Sequence, residues 1–279
     1  MNMKEERRGL LYVLLGAIAF SLGGLFVKLL PWAPLSISSG RCIFSSLIIY
    51  LYLRFSHHRI RINKTVILGA LCVSAMLLCY VTSMKLTSAA NAIVLEYTAP
   101  VFIIVFEALL FRKKPSKEDI IVTLLVLFGI VIVVSEGLGK GNLTGDLIAL
   151  LSGVFYALTI MLNDFKEGDS LSSVLFGHML TVVVGFVSVM SEADKSFGTL
   201  GLLAILGIFQ AGMGYTLLTV GLKKCEPLAG SLVASIEPVL NPILVAIFYH
   251  EYVGIRTLLG GFIVIVSIAV YNIRSMRKA

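Results

Sequence analysis

The chain has 279 residues, of which 58% are hydrophobic and 14% charged, with a mean hydropathy of +0.96 and a formal net charge of +7. A soluble globular domain is about 45–50% apolar and about 25% charged. The charge needed to cover a water-facing surface is missing, so a soluble domain is excluded before any motif is read.

A hydrocarbon core about 30 Å thick takes about 20 apolar residues in an α-helix. Runs of that size fall at 9–30, 35–54, 65–85, 89–111, 118–135, 144–163, 171–190, 199–222, 227–249 and 253–273. The first follows Lys4, Arg7 and Arg8 but exceeds the usual signal-peptide core, and no small-residue cleavage site precedes a soluble stretch. It reads as a retained helix. The connections between runs are short and leave no room for an extramembrane domain. Cys42, Cys72 and Cys79 lie inside apolar runs and Cys225 sits beside Lys223 and Lys224, a pattern of small packing residues rather than a disulfide framework.

Lysine and arginine set the direction. With the N-terminus in the cytoplasm, seventeen of the 23 basic residues fall on the cytoplasmic side and five (Lys28, Lys85, Lys140, Lys195, Arg256) on the other, with Arg41 inside a span. This asymmetry predicts ten spans in the cytoplasmic membrane with both termini cytoplasmic. It also accounts for the basic balance without a nucleic-acid partner.

The two halves of the chain resemble each other. Gly9 to Phe20 aligns with Gly145 to Tyr156 at an offset of 136, and Pro100 with Pro238 and Lys85 with Lys223 at 138. The intermediate offset sets Arg41 on His178. Five spans per half is an odd number, so the second half, 141–279, is expected to enter the bilayer upside down relative to the first, 1–140. Inverted repeats of this kind recur in secondary transporters, with substrate near the midplane between the halves.

These features, with Gly16-Ala-Ile-Ala-Phe20, Gly40-Arg41, Lys85-Leu-Thr-Ser-Ala-Ala-Asn91, Pro100-Val-Phe, Gly221-Leu-Lys, Glu237-Pro238, Tyr249-His-Glu251 and Gly260-Gly261, resemble the drug/metabolite transporter superfamily and its EamA-type members. The resemblance covers essentially the whole chain. It implies an all-α integral membrane fold of ten helices in two inverted five-helix repeats, and transport of amino acids, nucleosides, sugar phosphates, cations or drugs. One departure is visible: Lys113 stands where the second half carries Glu251.

Charges within spans need a reason, because each costs about 2.5–3.5 kcal/mol at a helix centre on insertion scales. Glu96 precedes Pro100, which removes the hydrogen bond to the carbonyl of residue 96 and bends the helix. A carboxylate and a freed carbonyl at one residue suit a cation, an ammonium group or an exchangeable proton; an ion pair with Arg41 is the structural alternative. Arg41 is placed to hold a carboxylate or phosphate through its planar fork, or to serve the fold. His178 is read as a proton relay or an interhelical hydrogen bond. Glu237 and Asn241, four apart, share a helix face beside Pro238 and Pro242, both expected as kinks. Tyr80, Tyr97, Tyr156, Gln210 and Tyr215 are the further candidates for substrate contact.

No enzyme signature is present. His250-Glu251 lacks the second histidine of a zinc helix, and no phosphate loop or Gly-x-Ser-x-Gly elbow occurs. The sequence reading is therefore a non-enzymatic secondary transporter without cofactor or metal, working as a monomer or weak homodimer in a lipid bilayer. Its expected cargo is a small polar metabolite, an amino acid or similar zwitterion, moved by alternating access with a proton or an exchanged metabolite as coupling partner. The alternative is a proton-coupled exporter of organic cations or drugs.

Overall fold

The structure, a computed structural model, describes residues 3–110, 112, 114–137, 142–163, 165–225, 230, 233–234 and 236–276. The expected half boundary at 140/141 and residues Lys113, Lys140, Arg277 and Lys278 lie outside these residues. Every regular element among the described residues is helical: α1 (Met3–Leu29), α2 (Pro34–Phe55), α3 (Lys64–Leu86), α4 (Ala89–Glu96), α5 (Ala99–Leu110), α6 (Lys117–Gly137), α7 (Leu143–Asn163), α8 (Ser170–Ser191), α9 (Phe197–Ile205), a π-helical segment (Leu206–Met213), α10 (Gly214–Leu222), α11 (Glu237–Phe248) and α12 (Ile255–Met276).

Local chemistry explains the ends. Pro34 opens α2, where a missing N–H is no loss. Asn63, Ser88, Asp169 and Ser196 each turn a side-chain oxygen onto the amide three residues on, capping α3, α4, α8 and α9. Among the described residues eight stretches are long and apolar enough to cross a bilayer, with α4 and α5 counted as one and α9 through α10 as another. In the last two expected spans the described residues include the apolar helices Glu237–Phe248 and Ile255–Tyr271, the latter within α12. The ninth run is interrupted just before Pro238, whose ring provides no amide to carry a helix through.

The two helix breaks share one hydrogen-bond pattern. At the first, Thr98 N donates to Leu95 O at 3.3 Å and Val101 N to Thr98 O at 2.9 Å; at the second, Ile236 N donates to Val233 O and Val239 N to Ile236 O, both at 3.2 Å. Each proline lies two residues after the residue that turns.

Packing follows a reciprocal scheme. α1 lies against the π segment, α10 and α11, while α7 lies against α3, α4 and α5; α2 meets α8 and the π segment, α3 meets α8, and α6 meets α12. Exchanging each helix for the one 136 to 138 positions away reproduces this set apart from the α4–α7 contact, whose counterpart falls mostly outside the described residues. Glycine makes the closest approaches possible: a Cβ on Gly9 would lie 2.7 Å from the carbonyl carbon of Lys224, and one on Gly145 2.7 Å from that of Leu86. So α1 starts beside the end of α10, whereas its last turn reaches Thr87, where Lys28 Nζ donates to the carbonyl at 2.8 Å. α7 starts beside that same Thr87 and runs in the opposite sense to α1.

The bundle thus has two ends. At the first, near the start of α1, His58 Nε2 pairs with Asp169 Oδ2 at 2.9 Å and Asn63 Nδ2 donates to Glu167 O at 2.8 Å. At the second, the buried indole of Trp32 donates to Asp194 O at 2.7 Å and Ala33 N to Glu192 Oε1 at 2.9 Å.

Burial alone would raise the Asp169 carboxyl, but the Ser172 hydroxyl, His58 and the Ser172 amide outweigh it and hold the group below its usual value. A carboxylate lowered in the folded state stabilises above its unfolded pKa, about 3.9, and loses that contribution as pH falls through the folded value. Asp169→Ala is expected to cost about 1 kcal/mol at neutral pH, as a lost helix cap. In detergent melts the gap between wild type and variant should close below about pH 4.

Candidate functional site

The centre of the bundle holds a cavity of about 270 Å³, at the small end of ligand pockets, which run about 300–1,000 Å³. Its walls come from α1, α2, α3, the α4–α5 break, α7, the π segment, α10 and α11. Toward the first end of the bundle it reaches Leu218 and Leu222 on α10.

Arg41 reaches the cavity from α2. Ser36, Ser38, Ser39, Gly40 and Ser45 on that helix are all buried, and small side chains let the backbone come close to its neighbours. Ser39 Oγ donates to Val182 O at 2.9 Å and Ser36 Oγ shares a 2.6 Å bond with Ser188 Oγ. The guanidinium is only 1% exposed. Its Nη1 donates to Gln210 Oε1 at 3.1 Å and its Cζ lies 6.0 Å from the centre of the Tyr80 ring. Nε and Nη2 find no acceptor among the described residues.

Gln210 lies in the π segment. Gly207 in the same segment packs on α2: its missing side chain makes room for the Arg41 carbonyl and the Phe44 Cβ. A π turn is wider than an α turn and is frequent at functional sites.

Two carboxylates line the same cavity, and neither forms an ion pair with Arg41. Glu96 Oε1 instead accepts from the Ser152 hydroxyl at 2.8 Å, and Glu237 Oε2 from the Tyr97 hydroxyl at 2.7 Å. The break after Glu96 delivers Tyr97 and Pro100 to the wall. The main chain there faces α7, where Gly153 lies against the carbonyls of Leu95 and Glu96. A buried charge without a counter-ion is costly. The cavity holds one such cation and two acids satisfied only by neutral hydroxyls.

Of the residues singled out from the sequence, Arg41, Tyr80, Glu96, Tyr97, Pro100, Tyr156, Gln210, Tyr215 and Glu237 line this one cavity. His178 does not. It is fully buried behind Tyr215, ring centroids 5.5 Å apart, with Nδ1 on its own helix at Val174 O, 2.8 Å away. The face of α8 that carries it is packed on α3, where Gly177 abuts Val73 and Ala70.

Asn241 is likewise behind the wall. Its Nδ2 donates to the Tyr80 hydroxyl at 3.4 Å, and its Oδ1 fills the space a side chain on Gly24 would need. Pro238 stands in the first turn of α11 and opens that helix rather than kinking it, while Pro242 is inside it.

Residues missed in the sequence include Ser152, the partner of Glu96, and Phe20, which meets Tyr215 edge to face at 4.8 Å. A hydroxyl in an otherwise apolar run was the available signal for Ser152. Nothing in the sequence set Phe20 apart from packing aromatics. Among the described residues no cluster of three histidine, cysteine or acidic side chains gathers to hold a metal ion.

A family description of EamA-like transporters matches the chain over residues 7–135 and again over 143–273. This chain belongs to the EamA-like transporter family. It is similar to human solute carrier family 35 member G1, 27% identical over 285 residues that cover 93% of this chain and 77% of that protein. An uncharacterized transporter of Archaeoglobus fulgidus is 27% identical over 207 residues, covering 71% of this chain and 73% of its own. A solved crystal structure superposes with a TM-score of 0.66 at 14% identity, over 96% of this chain and 97% of that one, so the fold is shared. The EamA-type chain is therefore a multi-pass membrane transporter of the drug/metabolite class.

Removing the hydroxyl that satisfies Glu96 tests the cavity's polar wall. Ser152→Ala leaves a buried carboxylate oxygen without a donor and is expected to lower stability by about 1–3 kcal/mol in thermal melts, well beyond the loss of a methyl-sized contact.

Proposed function

We propose that this transporter is a secondary active carrier that moves a small zwitterion of amino-acid type across the cytoplasmic membrane by alternating access. The observation that carries the reading is Arg41, with two nitrogens unpartnered among the described residues, in one cavity with Glu96 and Glu237. A ligand with a carboxylate at one end and an ammonium at the other supplies what each side lacks. The planar guanidinium takes the carboxylate and the acids take the ammonium. Tyrosines 80, 97, 156 and 215 offer hydroxyls and ring faces along the body between these ends.

Alternating access draws support from the reciprocal packing and from the opposed directions of α1 and α7. Two such five-helix halves, 1–140 and 141–279, have mirror-related states of similar energy, each admitting substrate from one side. The positive-inside bias favours the first end of the bundle, with Arg7, Arg8, Arg59, Arg61 and Lys224, as the cytoplasmic one. The cavity reaches toward that end, which makes this the inward-facing arrangement.

The acids with the aromatic wall also favour a second reading, a proton-coupled exporter of organic cations, in which Arg41 only holds Gln210 and Tyr80 in place.

Uptake and exchange in proteoliposomes across a panel of amino acids and organic cations separates the two. For the zwitterion carrier, Arg41→Ala and Glu96→Gln should each lower kcat/KM for the amino-acid substrate by about 10- to 100-fold, the loss of one charge-assisted hydrogen bond. Normal amino-acid exchange by Glu96→Gln, or cation transport untouched by Arg41→Ala, would remove the zwitterion reading.

A further inference from the structure

At the second end of the bundle lies another cavity, polar and about 360 Å³, whose lining includes Lys28, Lys85, Asn91, Glu136, Glu251 and Thr257. Lys28 Nζ is 2.9 Å from Glu251 Oε2 and also donates to Thr87 O at 2.8 Å. The other Glu251 oxygen accepts from Ala89 N at 2.8 Å. Lys85 Nζ donates to Leu30 O at 2.5 Å, and Glu136 Oε2 accepts from Thr257 N at 2.8 Å.

Beneath them Asp146 Oδ1 accepts from Thr87 Oγ1 at 2.6 Å and from Asn91 Nδ2 at 3.0 Å, while Asn91 Oδ1 accepts from Thr257 Oγ1 at 2.6 Å. These bonds tie the end of α1, the α3–α4 turn, the end of α6, the start of α7 and the segment between α11 and α12. They stand between the central cavity and the second end. The central cavity reaches the opposite way.

Only one ion pair in this net joins α1 to the segment after α11. Its side chains are 12% and 15% exposed, buried enough for the pair to matter and close enough to the surface that water takes both charges once they part.

Arg112 and His250, 138 positions apart, both hold positive φ (52° and 56°), and α6 and α12 start 138 positions apart, at Lys117 and Ile255. That register sets Lys113 of the sequence opposite Glu251, a cation in place of the acid.

We propose that Lys28–Glu251 is the latch that keeps the second end of the transporter shut and so biases the resting protein toward the state open at the first end. This rests on the alternating-access reading but not on the identity of the substrate. Opening the second end requires α1 and the segment before α12 to separate, and the pair is what they must break. Substrate entering from that side meets Lys28 and Glu251 first, after which the central site fills.

The latch is tested without any substrate. In a cysteine-free full-length background, Ala17→Cys on the cavity wall is labelled with a membrane-impermeant thiol reagent applied to either side of sealed vesicles. Labelling is expected to be fast from the first-end side and slow from the second, with the second-end rate rising about tenfold in Glu251→Gln and in Lys28→Gln. The charge-swapped pair Lys28→Glu with Glu251→Lys should restore most of the one-sidedness, which a general loss of packing would not do.

Fast labelling from the second-end side in the unaltered background overturns the proposal. So do unchanged rates in both single variants that elute as monodisperse protein. If no panel substrate is transported yet the rates shift as stated, the latch stands and only the cargo assignment fails.

Discussion

Arg41 carries its charge into the middle of a bundle that offers it a glutamine oxygen and a tyrosine ring but no carboxylate. A guanidinium stripped of water in this way is stable only because several helices are built around it. The buried serines of α2 bring that helix close to α8, and Gly207 lets the π segment lie on the Arg41 main chain. The widened helix presents Gln210 to the fork. The acids across the cavity bond to the Ser152 and Tyr97 hydroxyls rather than to Arg41. The site is therefore polarised, and the proposed zwitterionic cargo rests on that polarity.

The two proline-marked breaks do matching work on either side of this site. Glu96 and Tyr97 end α4, and the interruption at Thr98 redirects the chain so that Ala99 and Pro100 line the same cavity wall, with the main chain of Leu95 and Glu96 pressed on Gly153. The break before Pro238 delivers Glu237 the same way, and the Tyr97–Glu237 hydrogen bond links the two breaks directly.

Membrane class, the approximate helices and most of the cavity wall were legible in the sequence, because hydrocarbon permits few alternatives and every polar group within a span stands out against it. Arg41, Glu96, Glu237 and the tyrosines were found for that reason. His178 and Asn241 stood out equally and yet lie behind the wall: periodicity assigns a residue to a helix face, but not which neighbour that face meets. α8 turns His178 onto the packed side shared with α3, and α11 turns Asn241 onto Gly24. The π segment was invisible, since its residues read as an ordinary apolar run. So was the polar net around Glu251, whose members come from five separate stretches of chain and have no spacing in common. Pro238, expected as a kink, stands in the first turn of α11.

Trp32 gives the second end of the molecule an optical property of its own. It is the chain's sole tryptophan, and it lies buried with its N–H on the carbonyl of Asp194. Intrinsic emission excited at the red edge of the absorption band therefore originates from one indole, on the loop that follows Lys28. Its wavelength registers the hydration of that loop alone, so the protein carries a built-in fluorophore for one mouth and is dark at the other.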